Sequence, residues 1–593
     1  MRNHIRNHNY VWMLVVVLCC LSPDRLVAQD ETPTRITDQN RTGELPFSTS
    51  VGTAVEHVDV ATAALNVKIP IVSVPGRGMN SEVYLRFNSN FLVAAPRLDI
   101  NGNGYYAWWP ELYSGWQFNN PNMTRTIVTV HCSNLPSNYN ATYWENWIYS
   151  DSDGGKHPFA QQTAFGQCAG PGDAQGPDLT GEGMWSSGNY SAVLADGTQI
   201  GASGNTGSAE DSNGNTRNTS HDTLGRSLYS GPSAINNGES VDTFTVNDAN
   251  GNPQNYTVNW TTVPITTNFQ ASSTLGGIRE LSSARQVISS IVLPNGQSYG
   301  FQYEPAYGEI SRIDLPTGGY ITYTYATYLS GTLTRRYVSS RTEHGNGQAA
   351  TWTFSLPASG GGISGEQIIS TVTDPLNNQT VYSSSGGAVG SAKMYAGLAQ
   401  GTPLRQYQID YVSDNDPWVD PTVSSDIFPS PDPQPVANRP IRITTTLENG
   451  WMQKKEFDYE TFSYTYHPSH DGVLMDANTA QTYSTSRGNV SEIREWDWKP
   501  GGYGWPAGPM RRTNKSYLHN SNSAYLAANI VNKVLSDTVY DVAGVQSAQT
   551  QFEYDLTGIM GTSGAPNHDY TNYSTSNTVR GNVSKVRRWR NTD

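Results

Sequence analysis

Polar and apolar residues alternate along most of this chain in runs short enough for strands. In residues 81–90 (SEVYLRFNSN), Val83, Leu85 and Phe87 fall on one side, with Tyr84 and Arg86 on the other. That period of two is the pattern of a half-buried strand. Residues 58–78 alternate in the same way and end on a Pro75-Gly76 turn. Residues 142–160 predict an aromatic strand, an Asp-Gly turn and a further strand, and Trp108, Trp109, Trp116 and Phe118 read as core or interface residues rather than a ligand stack. Two lines then recur at fixed spacing. Residues 289–303 (SSIVLPNGQSYGFQY) and 311–325 (SRIDLPTGGYITYTY) match at an offset of 22, each reading as strand, Pro-x-Gly turn, strand. Residues 487–496 (RGNVSEIREW) and 580–589 (RGNVSKVRRW) match at an offset of 93. FDYE (residues 457–460) and FEYD (residues 552–555) precede the two copies, as do His470-Asp471 and His568-Asp569. Such self-similarity marks a repeat architecture. One hairpin cannot bury its apolar side alone, so stacked copies must share a sheet. The fold class expected is all-β, which at this point still admits a β-propeller or a β-helix.

Composition supports strands over helices. The chain has 593 residues, of which 56 are Gly, 34 Tyr and 15 Trp, and only 15% are charged. Helices would demand more Ala, Leu, Glu and Lys. The formal charge of −14 and the lack of a basic stripe exclude a nucleic-acid surface.

The first 29 residues differ from the rest. Arg2 and Arg6 precede an apolar run at residues 11–21, and Ala28 suits a cleavage site, so residues 1–29 are expected to be a signal peptide. The run is short for a membrane span. Cys19 and Cys20 suggest a lipoprotein, but Leu18 or Cys19 stands where a small residue is wanted, which favours secretion. The mature chain is expected to be secreted or at the cell surface, with no membrane span. Residues 30–44 read as a flexible lead-in, 45–225 as an N-terminal β-rich domain and 226–593 as the repeat region. Within these, the Gly-, Ser- and Asn-rich stretch from 170 to 238 predicts an extended loop or insertion.

Residues 58–90 (VDVATAALNVKIPIVSVPGRGMNSEVYLRFNSN) resemble the N-terminal region of secreted bacterial RHS/YD-repeat proteins. Val58, Asp59, Thr62, Leu65, Ile69, Pro70, Pro75, Gly76, Arg77, Gly78, Asn88 and Ser89 match that family's pattern, while Ala63 replaces a glycine and Phe87 a tyrosine. Tyr303, Gly308, Ile310, Ile313, Pro316 and Gly318 match a YD repeat, with Glu304 in place of the aspartate. The resemblance implies a curved or spiral antiparallel sheet, a partial β-shell. The function expected is a non-enzymatic scaffold for cell-surface interaction, with cell-surface glycans as the candidate ligand because its aromatic residues could supply sugar-stacking platforms. The alternative is the shell portion of a polymorphic toxin system whose effector is a separately encoded toxin segment. Neither an RHS-associated core signature nor a distinct toxin domain is legible in the sequence.

Candidate chemistry is sparse. Asp99, Asn101 and Asn103 form the first half of a calcium loop, but Pro110 stands where a bidentate Glu is required, so a metal-free turn is preferred. The Asn-Gly pairs in residues 211–215 (DSNGN) and 248–252 (DANGN) predict tight turns. Beyond the signal peptide, Cys132 and Cys168 are either a disulfide, contributing roughly 3–4 kcal/mol, or two separate thiols. The His-Asp pairs suggest acid–base work, yet adjacent strand residues point to opposite faces. His467 and His470 have metal-like spacing without a third ligand, and Gly561-x-Ser563-x-Ala565 lacks the strand–turn–helix of a nucleophile elbow. No catalytic residue, metal or cofactor is expected.

Overall fold

The computed structural model describes residues 49–589 apart from 61, 99–103, 111–114, 119–121, 132–139, 151–155, 161–162, 167–174, 179–180, 189–190, 202–207, 219–220, 228–239, 249–251, 270–278, 331–332, 357–366, 386–387, 414–437, 467–480 and 562–563. Antiparallel strands account for nearly all regular structure. Nineteen of them, from Val241–Asn247 to Val583–Arg588, form one open sheet in which every strand pairs with the next in sequence. The 22-residue repeat is two consecutive hairpins of this sheet, Ser282–Val292 with Ser298–Tyr303 and Ile310–Asp314 with Tyr320–Ser330. Their turns close identically: Gly296 N donates to Leu293 O, and Gly318 N to Leu315 O, both at 2.9 Å. Both glycines sit at left-handed φ, 82° and 89°.

A single register rule recurs along the sheet. Tyr303, Tyr325, Tyr411, Tyr459, Tyr517 and Tyr554 each stand three residues beyond the last pair made with the preceding strand. There the backbone ladder stops and the phenol bridges the gap. The six hydroxyls donate to the carbonyls of Ile288, Ile310, Val389, Pro440, Val490 and Val534 at 2.5–2.9 Å. Each of these carbonyls immediately precedes an extra residue in its strand: Ser289, Ser311, Gly390, Ile441, Ser491 and Leu535. On its other side, each tyrosine opposes the bulge of the following strand, as Tyr459 opposes Val490 and Tyr554 opposes Val583. Bulges add local right-handed twist and bend the strand. They recur on alternate strands from Ser282–Val292 onward, Gln367–Thr373 excepted, and each adds to the twist of the sheet. Burial raises all six phenols, Tyr459 to about 12, so they remain hydrogen-bond donors at physiological pH.

The N-terminal region packs against this sheet. Strands Ser50–Gly52, Glu56–Asp59, Leu65–Val74, Ser81–Asn88 and Trp116–Phe118 form a five-stranded sheet. Its Leu65, Ile69, Leu85 and Phe87 share one core with Val258, Ile288, Ile291, Ile313 and Val338 of the long sheet. Trp108 and Trp116 are buried in it, as expected. Polar groups fix the alignment. Fully buried Arg341 donates to both oxygens of fully buried Glu56 at 3.0 and 2.5 Å, and the Tyr323 hydroxyl donates to Glu56 Oε2 at 2.6 Å. Removing one partner of such a pair leaves an uncompensated buried charge.

The stretch expected to be an extended loop contains six short strands, from Gly176–Pro177 to Thr216–Arg217. Met184, Ala192, Ile200 and Ala209 bury against Met123, Trp147 and Phe159, and part of its backbone is satisfied by the far end of the chain. The Asn529 amide alone donates to Gly183 O, Val193 O and Leu194 O at 2.9–3.0 Å.

The duplicated line tests whether burial follows register. Trp496 is buried and stacks under Lys454 Nζ at 3.7 Å, whereas Trp589 is 39% exposed. Trp496→Ala is expected to cost about 3–5 kcal/mol and Trp589→Ala about 1 kcal/mol, read as shifts in the denaturation midpoint. Glu495 pairs with Arg511 at 2.5 Å, so its side chain is not idle. The pair is partly exposed, and Glu495→Arg is expected to cost about 1 kcal/mol or less.

Candidate functional site at the seam with the last strands

The RGN lines and the acids of FDYE and FEYD, separate motifs in the sequence, are parts of one device. Asp555 accepts the backbone N–H groups of Arg580, Gly581 and Asn582 at 2.8–3.0 Å, and the Tyr525 hydroxyl at 2.8 Å. In the earlier copy Glu460, one methylene longer, reaches side chains instead. Asn489 Nδ2 donates to it at 2.7 Å, Asn520 Nδ2 at 2.5 Å, and His519 Nε2 lies 2.8 Å away. Burial works to raise the Glu460 carboxyl, but the hydrogen bonds from His519, Asn489 and Asn520 outweigh it and hold the pKa near 2. The glycine is required in both copies. Gly488 has φ 78°, and a Cβ there would lie 2.3 Å from Gly181 O; Gly581 has φ 71°.

Around these turns the last segment clasps the N-terminal region. Buried Arg580 donates to the carbonyls of Asn213, Tyr573, Ser574 and Asn577 at 2.8–3.1 Å. Asp569 N donates to Gly214 O at 3.0 Å, and Thr216 Oγ1 donates to Asn567 O. At the centre of the clasp, the Glu210 carboxyl faces Asp569. Burial, the contact with Asp569, and the charges of Asp569 and Asp211 together raise the Glu210 pKa to about 7.

Beside the clasp lies a cleft of about 520 Å³. Trp185, Phe462, Tyr464, Leu526, Gln199 and Asn529 are among the residues lining it. It joins the N-terminal region, the strand Trp451–Tyr466 and the segment after the helix Ser523–Ala527.

The residues singled out in the sequence fare unevenly. Asp99, Asn101 and Asn103 lie outside the described residues, as do Cys132, Cys168, His467, His470, Asp471 and Ser563. His568 and Asp569 are described and serve a turn. His568 Nε2 is 2.9 Å from Asn213 O, while Asp569 accepts from Thr571 N, Asn572 N and Asn572 Nδ2 at 2.7–3.0 Å. The DSNGN and DANGN carboxylates are likewise absorbed by their own turns, with Asp211 accepting from Asn213 N and Asn215 N and Asp248 from Asn252 N, all at 2.9 Å. Among the described residues no group of three or more His, Cys, Asp or Glu side chains could hold a metal ion, and no helix is long and apolar enough to cross a membrane. Sequence reasoning missed Glu210, His519 and Asn529, which carry no local signal, whereas Arg580, Glu460 and Asp555 were marked by the joint recurrence of the RGN lines with FDYE and FEYD.

No family model matches the sequence, and no curated protein is similar to it. Among solved structures, it aligns with a chain of a TcdB2-TccC3-TEV crystal structure at 9% identity and a TM-score of 0.18, over 94% of this chain and 26% of that one. A TcdB2-TccC3-Cdc42 crystal structure aligns at 10% identity and a TM-score of 0.17, over 84% of this chain and 30% of that one. This chain thus spans under a third of the length of either. At such scores neither likeness bears on what the chain does.

The two acids give opposite pH dependences. Glu460 is depressed below its ordinary 4.5, so its contribution to stability is present above about 4.5 and lost as pH falls towards 2. Glu460→Gln is expected to flatten the acid limb of a stability profile in that window. Glu210 is raised above 4.5, so its contribution is full below about 4.5 and lost as pH climbs through 7. Glu210→Gln is therefore expected to raise the melting temperature at pH 8 relative to the parent and to change it little at pH 4.

Proposed function

We propose that this chain is an exported, non-enzymatic RHS/YD-repeat scaffold that forms the wall of a shell around a separately encoded polypeptide. The observation that carries this reading is the tyrosine–bulge register repeated along the nineteen-stranded sheet. It gives the tyrosine of the YD motif a mechanical task, holding a coiled wall. It also gives the acid a task, since Asp555 and Glu460 secure the turns that fasten the wall's end. Wall-building needs no reacting group, and the acids at the seam are engaged in turns and pairs.

A second reading rests on the cleft. Trp185, Phe462 and Tyr464 line it together with Gln199, the aromatic and amide residue types that suit a neutral sugar. In this reading the ligand is a cell-surface glycan.

Both readings are testable on the tagged full-length chain. Purified from its producing cells, it is expected to carry a polypeptide that resists protease until Tyr459→Phe/Tyr517→Phe loosens the wall. A chain that purifies alone and turns over polysaccharide or peptide substrates would overturn the shell reading. On a glycan array the second reading expects binding that Trp185→Ala reduces about tenfold or more; silence on the array removes it.

A further inference from the structure

The strand ends of the long sheet form two rims, because every strand pairs with the next and the turns alternate between them. On one rim the early tips are polar: Asn295-Gly296, Thr317-Gly318 and Asn346-Gly347. From residue 374 onward the tips of that same rim become apolar. Leu376, Leu398 and Tyr503 are 80%, 62% and 73% exposed, Trp451 and Met510 are exposed beside them, and Val542 continues the row. The turns themselves do not ask for this. Asn377 N donates to Asp374 O at 2.9 Å, as Gly296 N does to Leu293 O and Gly318 N to Leu315 O. Leu376 therefore fills the tip position that Asn295 and Thr317 hold in turns of the same kind.

Hydrogen bonds run from one apolar tip to the next. Gly397 N donates to Asn378 Oδ1 at 3.1 Å and Ala399 N to Gln379 Oε1 at 2.7 Å. Glu448 N donates to Leu404 O at 2.9 Å, and Gly501 N to Gly450 O at 2.8 Å. Successive tips of one rim are two strands apart, or roughly 10 Å. The longest tip, residues 501–510, is braced. Lys499 Nζ donates to Tyr503 O at 2.6 Å and lies 4.5 Å from the Trp505 ring centroid, while Trp496 Nε1 donates to Pro506 O at 3.2 Å.

Charge on this rim is opposite in sign to that of the chain. In residues 374–379, 393–405, 448–455, 497–512 and 541–545, seven Lys and Arg stand with four acids, against −14 for the whole chain. Lys454 and Arg511 are paired with Glu456 and Glu495 just behind the rim. Among the described residues, Lys393, Arg405 and Lys499 have no carboxylate partner. Asp374 and Asp541 are taken up by N–H groups of their own turns.

We propose that this rim docks on the surface of an anionic phospholipid bilayer, with Leu376, Leu398, Trp451 and Tyr503 entering the interface and Lys393, Arg405 and Lys499 facing the lipid phosphates. Single apolar side chains on separate tips suit a fluid surface that admits each one, and Trp and Tyr beside cations are residue types of the membrane interface. Each cation near such a surface adds an attraction that salt screens. A second copy of the chain, rim to rim, would set these cations against like charges. The docking adds to either reading of function and depends on neither.

The test is co-sedimentation of the full chain with vesicles of phosphatidylcholine alone or mixed in equal parts with phosphatidylglycerol. Binding to the mixed vesicles is expected to be about tenfold or more tighter and to weaken as salt rises. Leu376→Ser/Leu398→Ser/Tyr503→Ser is expected to abolish it at an unchanged melting temperature. Leu376→Asn alone, which copies the tip residue of the Asn295 turn and so keeps the fold, is expected to weaken it about threefold or more. Lys393→Gln/Arg405→Gln is expected to bring the mixed vesicles down towards phosphatidylcholine alone. No sedimentation with either vesicle, equal binding to both, or binding that the tip substitutions leave intact would overturn the proposal. Lipid-free self-association that the same substitutions remove would also overturn it, by assigning the rim to a second copy.

Discussion

A sheet of nineteen consecutive strands can coil in a regular way only if something repeats its bend, and here that constraint is the tyrosine–bulge bridge. An extra residue ends the backbone ladder on one side of a strand and twists it. The gap leaves a carbonyl that must be satisfied in a half-buried place. A phenol three residues past the last pair is long enough to fill the gap and carries a donor at its tip. Because each tyrosine both bonds one bulge and opposes the next, as Tyr459 does with Pro440 and Val490, successive bulges are tied together through Tyr303 and Tyr325 and again from Tyr411 to Tyr554.

The N-terminal region is attached to the long sheet at two places. Its apolar side shares a core with the early strands, and its polar turns are held by the late ones, so it joins parts of the wall far apart in sequence. The two attachments differ in chemistry. At the early strands a buried Arg341–Glu56 pair fixes alignment within an apolar core. At the late strands, backbone carbonyls of a glycine-rich stretch are met by Asn529 and Arg580, and a carboxyl pair, Glu210 with Asp569, adds a pH-sensitive contact. Hydrophobic burial thus secures one end and hydrogen bonding the other.

Much of the wall was legible in the sequence. The 22-residue offset gave two hairpins, and Tyr303, Tyr325, Tyr459 and Tyr554 close the recurring aromatic-x-Tyr endings FQY, YTY, FDY and FEY. Tyr411 and Tyr517 escaped notice because IDY and KSY lack the aromatic two positions earlier, although the register places them identically. The seam was harder to read. Asn529, His519 and Glu210 act through partners tens to hundreds of positions away, and nothing local marks such a contact. The glycine-rich stretch was hard to read because its strands are two to four residues long and part of its backbone is held from outside its own sequence. The duplicated line was read correctly as structure, but equal sequence did not mean equal burial. Among the described residues the strand of Trp496 is paired on both sides, whereas Val583–Arg588, which Trp589 follows, is paired on one.

The most direct measurement of the central claim replaces Tyr411, Tyr459, Tyr517 and Tyr554 together by phenylalanine, which removes four hydroxyls and little volume. Small-angle scattering and amide hydrogen exchange on the folded protein then read the coil and the bulges separately. The bridge account expects faster exchange around Gly390, Ile441, Ser491 and Leu535 together with a larger radius of gyration. Scattering and exchange unchanged from the parent would contradict it, because the sheet would then hold its curve without the bonds assigned to that task.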